Sequence, residues 1–283
     1  MKLYLNSLIV AVVSFFWSYI YYAGGLYPED YTRPFVYRQL VPLLARGIEF
    51  LGVPAGVALV VVMTLSGVGF YLALRKLAQE FYHLSNKQEL YLVAGVLGSM
   101  LVMGAYRKPY DLMTALLFTL AFRYMWRGRS REYFLVFVLS CVNRETTFLL
   151  ILLYVVFSWL MSVPFWQVFK MTVCQVMIFV LITYVLRIAL AEAPGSGLWI
   201  EPAENIIRFT DQPYRFLLHL GGAFLVLWWV FREEPKKPTF WLVSFVVISP
   251  VLTLMYLVCG QAFELRAFWE ISPLVIVLSI PKP

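Results

Sequence analysis

Charge is scarce in this chain. Only 14% of its 283 residues are Asp, Glu, Lys or Arg, where a soluble domain carries about 25%. Cysteine and histidine are scarcer still: Cys141, Cys174 and Cys259, and His83 and His219. An odd, scattered set of thiols in apolar surroundings gives no disulfide framework. Neither histidine pairs with a cysteine or serine at a metal-binding or catalytic spacing, and there is no nucleophile elbow, phosphate loop or nucleotide fingerprint. Long polar stretches are missing as well, so the net charge of +7 does not belong to a nucleic-acid-binding domain. Internal repeats and low-complexity tracts are absent.

Apolar side chains fill the space. The sequence is 61% hydrophobic with a mean hydropathy of +0.77, which excludes a soluble enzyme, a disordered tail and a disulfide scaffold. The apolar residues come in runs near the roughly 20 residues that cross a bilayer. Such runs cover about 5–25, 53–74, 90–106, 110–126, 133–143, 147–161, 168–190, 214–231, 239–259 and 271–281. The expected fold is all-α: a polytopic transmembrane helical bundle of about eight to ten spans, with 1–283 as a single integral membrane domain. No small-x-small cleavage site follows the first run, so it reads as a retained span.

Residues 26–52 do not form a span. Val36, Leu40, Leu43, Leu44, Ile48 and Leu51 recur there at helical spacing among charged residues. That pattern predicts an interfacial helix in the first outer loop. With the N-terminus inside, 13 of the 23 cations fall on the inner side, led by Arg123, Arg127, Arg129 and Arg131. This is the expected bias of cytoplasmic loops. Residues 133–161 read either as one long helix or as two short ones around Asn143-Arg144-Glu145-Thr146. In both cases Arg144 and Glu145 lie deep in apolar surroundings, where ionisable groups are costly and face a cavity or a partner.

Four constellations carry candidate chemistry. Glu29 and Asp30, close to Arg33 and Arg38, can supply a general base or a metal site, or form a solvated turn. Arg107, Lys108 and Asp111 combine two cations suited to phosphate with a carboxylate at a helix start, where it also favours the helix. Arg144 and Glu145 can pair locally, yet need further partners at that depth. Glu264 and Arg266, with Glu270 behind them, can cap an anionic site or form an interfacial turn.

The run Met103-Gly104-Ala105-Tyr106-Arg107-Lys108-Pro109-Tyr110-Asp111-Leu112-Met113 leads into an apolar helix. The basic turn Arg127-Gly128-Arg129-Ser130-Arg131 follows, then a short helix ending at Asn143-Arg144-Glu145-Thr146. This order resembles the core of the GT-C class of membrane glycosyltransferases, over roughly residues 1–165, with 166–283 as additional transmembrane helices. The acidic pair Glu29-Asp30 ahead of an interfacial helix also resembles that class. The stretch from Arg33 to Ala45, and Glu264-Leu265-Arg266, resemble motifs of small bacterial membrane proteins related to it.

The resemblance implies sugar transfer from a polyprenyl-phosphate donor to a hydroxyl acceptor, at a site on the outer face of the inner (plasma) membrane, in cell-envelope chemistry. It implies Asp30, then Glu29, as catalytic base. Arg33, Arg38, Arg107, Lys108, Asp111, Arg144, Glu145, Glu264 and Arg266 become substrate-binding candidates. The expected partners are the lipid-linked donor, membrane lipids and an acceptor the sequence does not identify, with no nucleic acid. The resemblance fixes no cofactor, and a divalent metal stays open. Two other classes also stay open: a non-catalytic membrane scaffold subunit, and a lipid or small-molecule transporter or flippase, which would be expected to show internal symmetry.

Overall fold

The computed structural model describes residues 2–23, 37–102, 108–193, 207, 210–232, 238–259 and 268–280. Among them are eleven α-helices and no strand. They are α1 (Lys2–Ala23), α2 (Leu40–Glu49), α3 (Ala55–Ala78), α4 (Asn86–Val102), α5 (Asp111–Trp126), α6 (Ser130–Asn143), α7 (Phe148–Leu160), α8 (Phe165–Ala189), α9 (Pro213–Phe231), α10 (Thr239–Cys259) and α11 (Ser272–Ser279). Each apolar run read from the sequence contains one helix. Two helices, α3 and α8, are long and apolar enough to cross a membrane.

The first helices pack antiparallel and close. A Cβ on Gly67 of α3 would meet the Ser14 side chain of α1 at 2.3 Å, and one on Gly56 would meet the Tyr22 ring at 1.9 Å. Glycine at these two positions leaves room for the Ser14 and Tyr22 side chains against α3. Trp17 Nε1 donates to the Met100 carbonyl at 3.2 Å and ties α1 to α4.

Residues 133–161 form two helices folded back on each other. The Tyr133 hydroxyl, at the start of α6, donates to the Leu150 carbonyl of α7 at 3.0 Å. Its ring stacks on Tyr154 at 5.5 Å. The break between them is Arg144, extended at φ −162° and ψ 143°, then a single 3₁₀ turn at Glu145–Thr147. Thr147 Oγ1 closes the break by donating to the Arg144 carbonyl at 2.7 Å.

The arms of this hairpin are short. α6 has 14 residues, about 21 Å at 1.5 Å per residue, and α7 has 13, about 20 Å. The neighbouring α8 has 25, about 37 Å. The hairpin tip therefore stops well short of the far end of α8.

Polar residues gather at the two ends of the bundle. At one end Arg123 and Arg127 pair with Glu80 at 3.1 and 2.8 Å, and Arg75 pairs with Glu89 at 2.7 Å. There Arg129 hydrogen-bonds Glu132 and holds its carboxyl below the usual range. Phe81, Phe122, Trp126, Phe240 and Trp241 form an aromatic cluster just inside this end. At the other end lie the hairpin tip and the start of α5.

The outside of the bundle is apolar. On α8 only Gln175 is buried, while Phe165, Trp166, Met177, Leu181 and Tyr184 are exposed. The sequence reading of α2 needs one correction. The side it turns to the bundle is Leu40, Val41, Pro42 and Ala45. Leu43, Leu44 and Leu51, expected on a single apolar face with Leu40, are exposed. The helix thus has one apolar side against protein and another turned outward.

Candidate functional site

The site grows from the extended backbone at Arg144. Successive side chains on extended backbone point to opposite sides. Arg144 is thereby sent one way and Glu145 the other, so these neighbours do not pair with each other. Each finds a partner from a distant segment. This replaces the local Arg–Glu pair considered for the sequence.

Arg144 lies between two carboxylates. Its Nη1 is 3.8 Å from Asp111 Oδ1 and its Nε is 3.1 Å from Glu270 Oε1. Arg144 is only 5% exposed, and Asp111 and Glu270 are 0% exposed, which puts all three out of contact with bulk solvent. Opposite charges so close offset much of the several kcal/mol that burying each ion costs. The approach of Glu270 is off the N–H axis, so the contact is an ion pair without a hydrogen bond.

Each partner is fixed by its own element. Asp111 is the first residue of α5, and its Oδ2 accepts the Lys108 backbone N–H at 3.0 Å. One carboxylate thus braces the backbone leading into α5 and pairs with Arg144. Glu270 sits just ahead of α11, where Thr146 Oγ1 of the tip donates to its Oε1. Next to it, the buried Trp269 packs edge-on against Phe70 of α3.

On the other side of the tip, Arg38 Nε donates to Glu145 Oε2 at 3.0 Å. Just beyond, the Gln39 backbone N–H donates to the Val142 carbonyl at 3.0 Å, holding the entry to α2 against the end of α6. The two arginines share one ring. Arg38 lies 4.6 Å and Arg144 6.0 Å from the centroid of Tyr110, which is fully buried. Asn143 Nδ2 donates to Thr114 Oγ1 at 2.8 Å, which fastens the tip to the first turn of α5.

Several buried atoms here have hydrogen-bonding capacity left over. They are Arg144 Nε and Nη1, Asn143 Oδ1, Glu145 Oε1 and Glu270 Oε2. Arg144 Nε and Nη1 still face Glu270 and Asp111 as ion pairs, while a buried polar atom without a partner costs about 1–3 kcal/mol, a cost that falls on the three acceptor oxygens. The mixture of donors and acceptors suits a polar ligand that both gives and takes hydrogen bonds.

The structure thus joins five of the candidates read from the sequence: Arg38, Lys108, Asp111, Arg144 and Glu145. Glu29, Asp30, Arg33, Arg107, Glu264 and Arg266 lie outside the described residues. Glu270, which the sequence reading grouped with Glu264 and Arg266, stands beside Arg144. Its sequence signal was an ionisable residue directly before an apolar run. Tyr110, Asn143 and Thr146 carried no such signal. Among the described residues, no group of three His, Cys, Asp or Glu is placed to hold a metal ion.

No protein-family model, no curated protein and no solved structure matches this chain.

Proposed function

We propose that this chain is a multi-pass membrane protein of GT-C type, which transfers a sugar from a polyprenyl-phosphate donor to a hydroxyl acceptor. The observation that carries the reading is the buried Asp111–Arg144–Glu270 cluster at a recessed helix break. A lipid-linked donor needs polar chemistry at bilayer depth, and a charged helix break is a rare way to provide it. The apolar exterior of α8 and its neighbours supports placement in a membrane. The basic end, with Arg123, Arg127, Arg129 and Arg131, is then cytoplasmic and the Arg144 end faces outward.

Roles follow from the charges. Arg144 is neutralised by Asp111 and Glu270, so it orients groups rather than holding a phosphate alone. Arg38 pairs with Glu145 at the tip, and with Lys108, Arg107 and Arg266 it is a candidate for the leaving phosphate, where charge grows in the transition state. Asp30 is the first choice for the base that takes the acceptor proton and Glu29 the second. Glu270, with one buried carboxylate oxygen still open, is a third.

The test is a pair of assays on the purified protein with a short-chain polyprenyl-phosphate sugar. Donor binding is measured first and sugar transfer second. Asp30→Asn is expected to bind donor and lose transfer by about 10²–10⁴-fold, the usual range for general-base assistance. Unchanged transfer in Asp30→Asn, Glu29→Gln and Glu270→Gln alike would take the base role from all three, and donor binding without any transfer by the wild type would remove the enzymatic reading and leave the scaffold.

A carrier function has one observation in its favour, the charged break in α6–α7, since transporters place substrate at such breaks. Counterflow of labelled lipid-linked sugar in proteoliposomes, without transfer, would support it.

A further inference from the structure

A second site lies at the opposite end of the bundle. Where α6 begins and α7 turns into α8, the surface holds a groove of about 520 Å³, within the range of small-molecule sites. Ser130, Tyr154, Pro164, Trp166, Gln167 and Lys170 line it. The lining is graded. Tyr154 is buried and forms an apolar floor, while Trp166 is exposed on the flank. Lys170 Nζ stands 5.4 Å over the Trp166 ring, which holds the ammonium at the groove.

Charge at this rim is one-sided. Ser130 and Lys170 both line the groove, and in sequence Ser130 sits between Arg129 and Arg131. The only carboxylate nearby in sequence, Glu132, is hydrogen-bonded to Arg129. Arg129 and Glu132 neutralise each other, which leaves Lys170 in the lining and Arg131 beside Ser130 in sequence as the cations of this rim. Above the groove the exposed side of α8 continues as Phe169, Val173, Val176 and Met177. An occupant must therefore be anionic at one end and apolar along its length.

We propose that this groove binds a glycerophospholipid with a net negative head group. Its phosphate lies among Lys170, the Ser130 hydroxyl and Gln167, and its acyl chains run over Met171 and the outer side of α8. Basic pockets between helices at a cytoplasmic surface hold anionic lipid head groups in this way. The assignment rests on the bilayer placement proposed above, and not on the transfer reaction. Bound there, the lipid clamps the start of α6 to the start of α8, at the foot of the hairpin whose tip carries Arg144.

The test is native mass spectrometry of the full chain in mild detergent, titrated with phosphatidylglycerol or phosphatidylcholine. Wild type is expected to hold phosphatidylglycerol more tightly. Lys170→Gln should weaken that binding about five-fold, the effect of one surface cation, and Lys170→Arg should keep it. Lys87→Gln, a cation at the same end but away from the groove, should leave it unchanged. The proposal is overturned if Lys170→Gln binds like wild type, if Lys87→Gln loses as much, or if millimolar inorganic phosphate alone strips the lipid. If sugar transfer proves absent while Lys170-dependent lipid binding persists, the groove stands and only the transferase reading falls.

Discussion

Arg144 Nε lies 3.1 Å from Oε1 of Glu270, joining the tip of the α6–α7 hairpin to the start of the last helix. With Asp111 on its other side, one guanidinium connects three segments that are far apart in sequence. Removing it would leave two carboxylates facing each other without solvent. Arg144→Met is therefore expected to destabilise the protein by about 3–5 kcal/mol, the cost of breaking a buried pair. The triple variant Arg144→Met, Asp111→Asn, Glu270→Gln should recover most of that loss. Thermal unfolding in detergent measures both. A triple variant no more stable than the single one would mean that charge is not what holds the tip.

The Arg38–Glu145 contact is more open, with Glu145 about a third exposed, so its Coulomb part is small. What adds to it is the Tyr110 ring beneath the guanidinium. A double-mutant cycle between Arg38→Gln and Tyr110→Leu should show coupling of about 0.5–2 kcal/mol. Arg38→Lys should recover less than half of it, because an ammonium cannot stack on the ring while reaching Glu145 in the same geometry. Full recovery by lysine would reduce the contact to a point charge.

Gly67 tests the close approach of α1 and α3. A methyl group there meets the Ser14 side chain at 2.3 Å, and overpacking of this kind costs about 1–3 kcal/mol. Gly67→Ala should lower the melting temperature, and Ser14→Gly added to it should restore part of the loss. Gly98→Ala is the control, since a Cβ there meets nothing within 4 Å.

Topology has a direct readout. On a cysteine-free background, Gly47→Cys is exposed beside the Arg144 end and Ser130→Cys is exposed at the basic end. A membrane-impermeant maleimide applied to intact spheroplasts should label the first, and label the second only after permeabilisation. The reverse order would invert the orientation, and labelling of both from outside would remove the bilayer placement.

Most helices were legible in the sequence because each coincides with an apolar run, and α2 because apolar residues recur at helical spacing; at 133–161 the sequence left one helix or two open, and Arg144 and Glu145 mark where the break falls. The partners were not legible. Nothing in periodicity relates Asp111 or Glu270 to Arg144, because that pairing is made by packing α5 and the start of α11 around the tip. Adjacency even misled: Arg144 and Glu145 look like a pair, and one extended residue separates them. The face of α2 was half legible, since hydrophobicity alone does not distinguish a side turned to protein from one turned outward. Residues such as Tyr110 escaped because an aromatic beside a charge motif reads as ordinary core until two guanidinium groups are found over it.

In a bilayer, the shortness of the hairpin also has an electrical side. Voltage falls across whatever insulates, and at the tip the protein insulates for about 21 Å along α6, against about 37 Å along α8. Under the bilayer placement proposed above, a tip in contact with the outer solution would compress the drop into the path below it. A charge passing from the tip to the basic end would cross most of the field, about 2.3 kcal/mol per elementary charge per 100 mV. One arriving from the open side meets almost none. Under the proposed transfer reading, an anionic reactant reaching the tip from that side would then be neither helped nor opposed by the membrane potential.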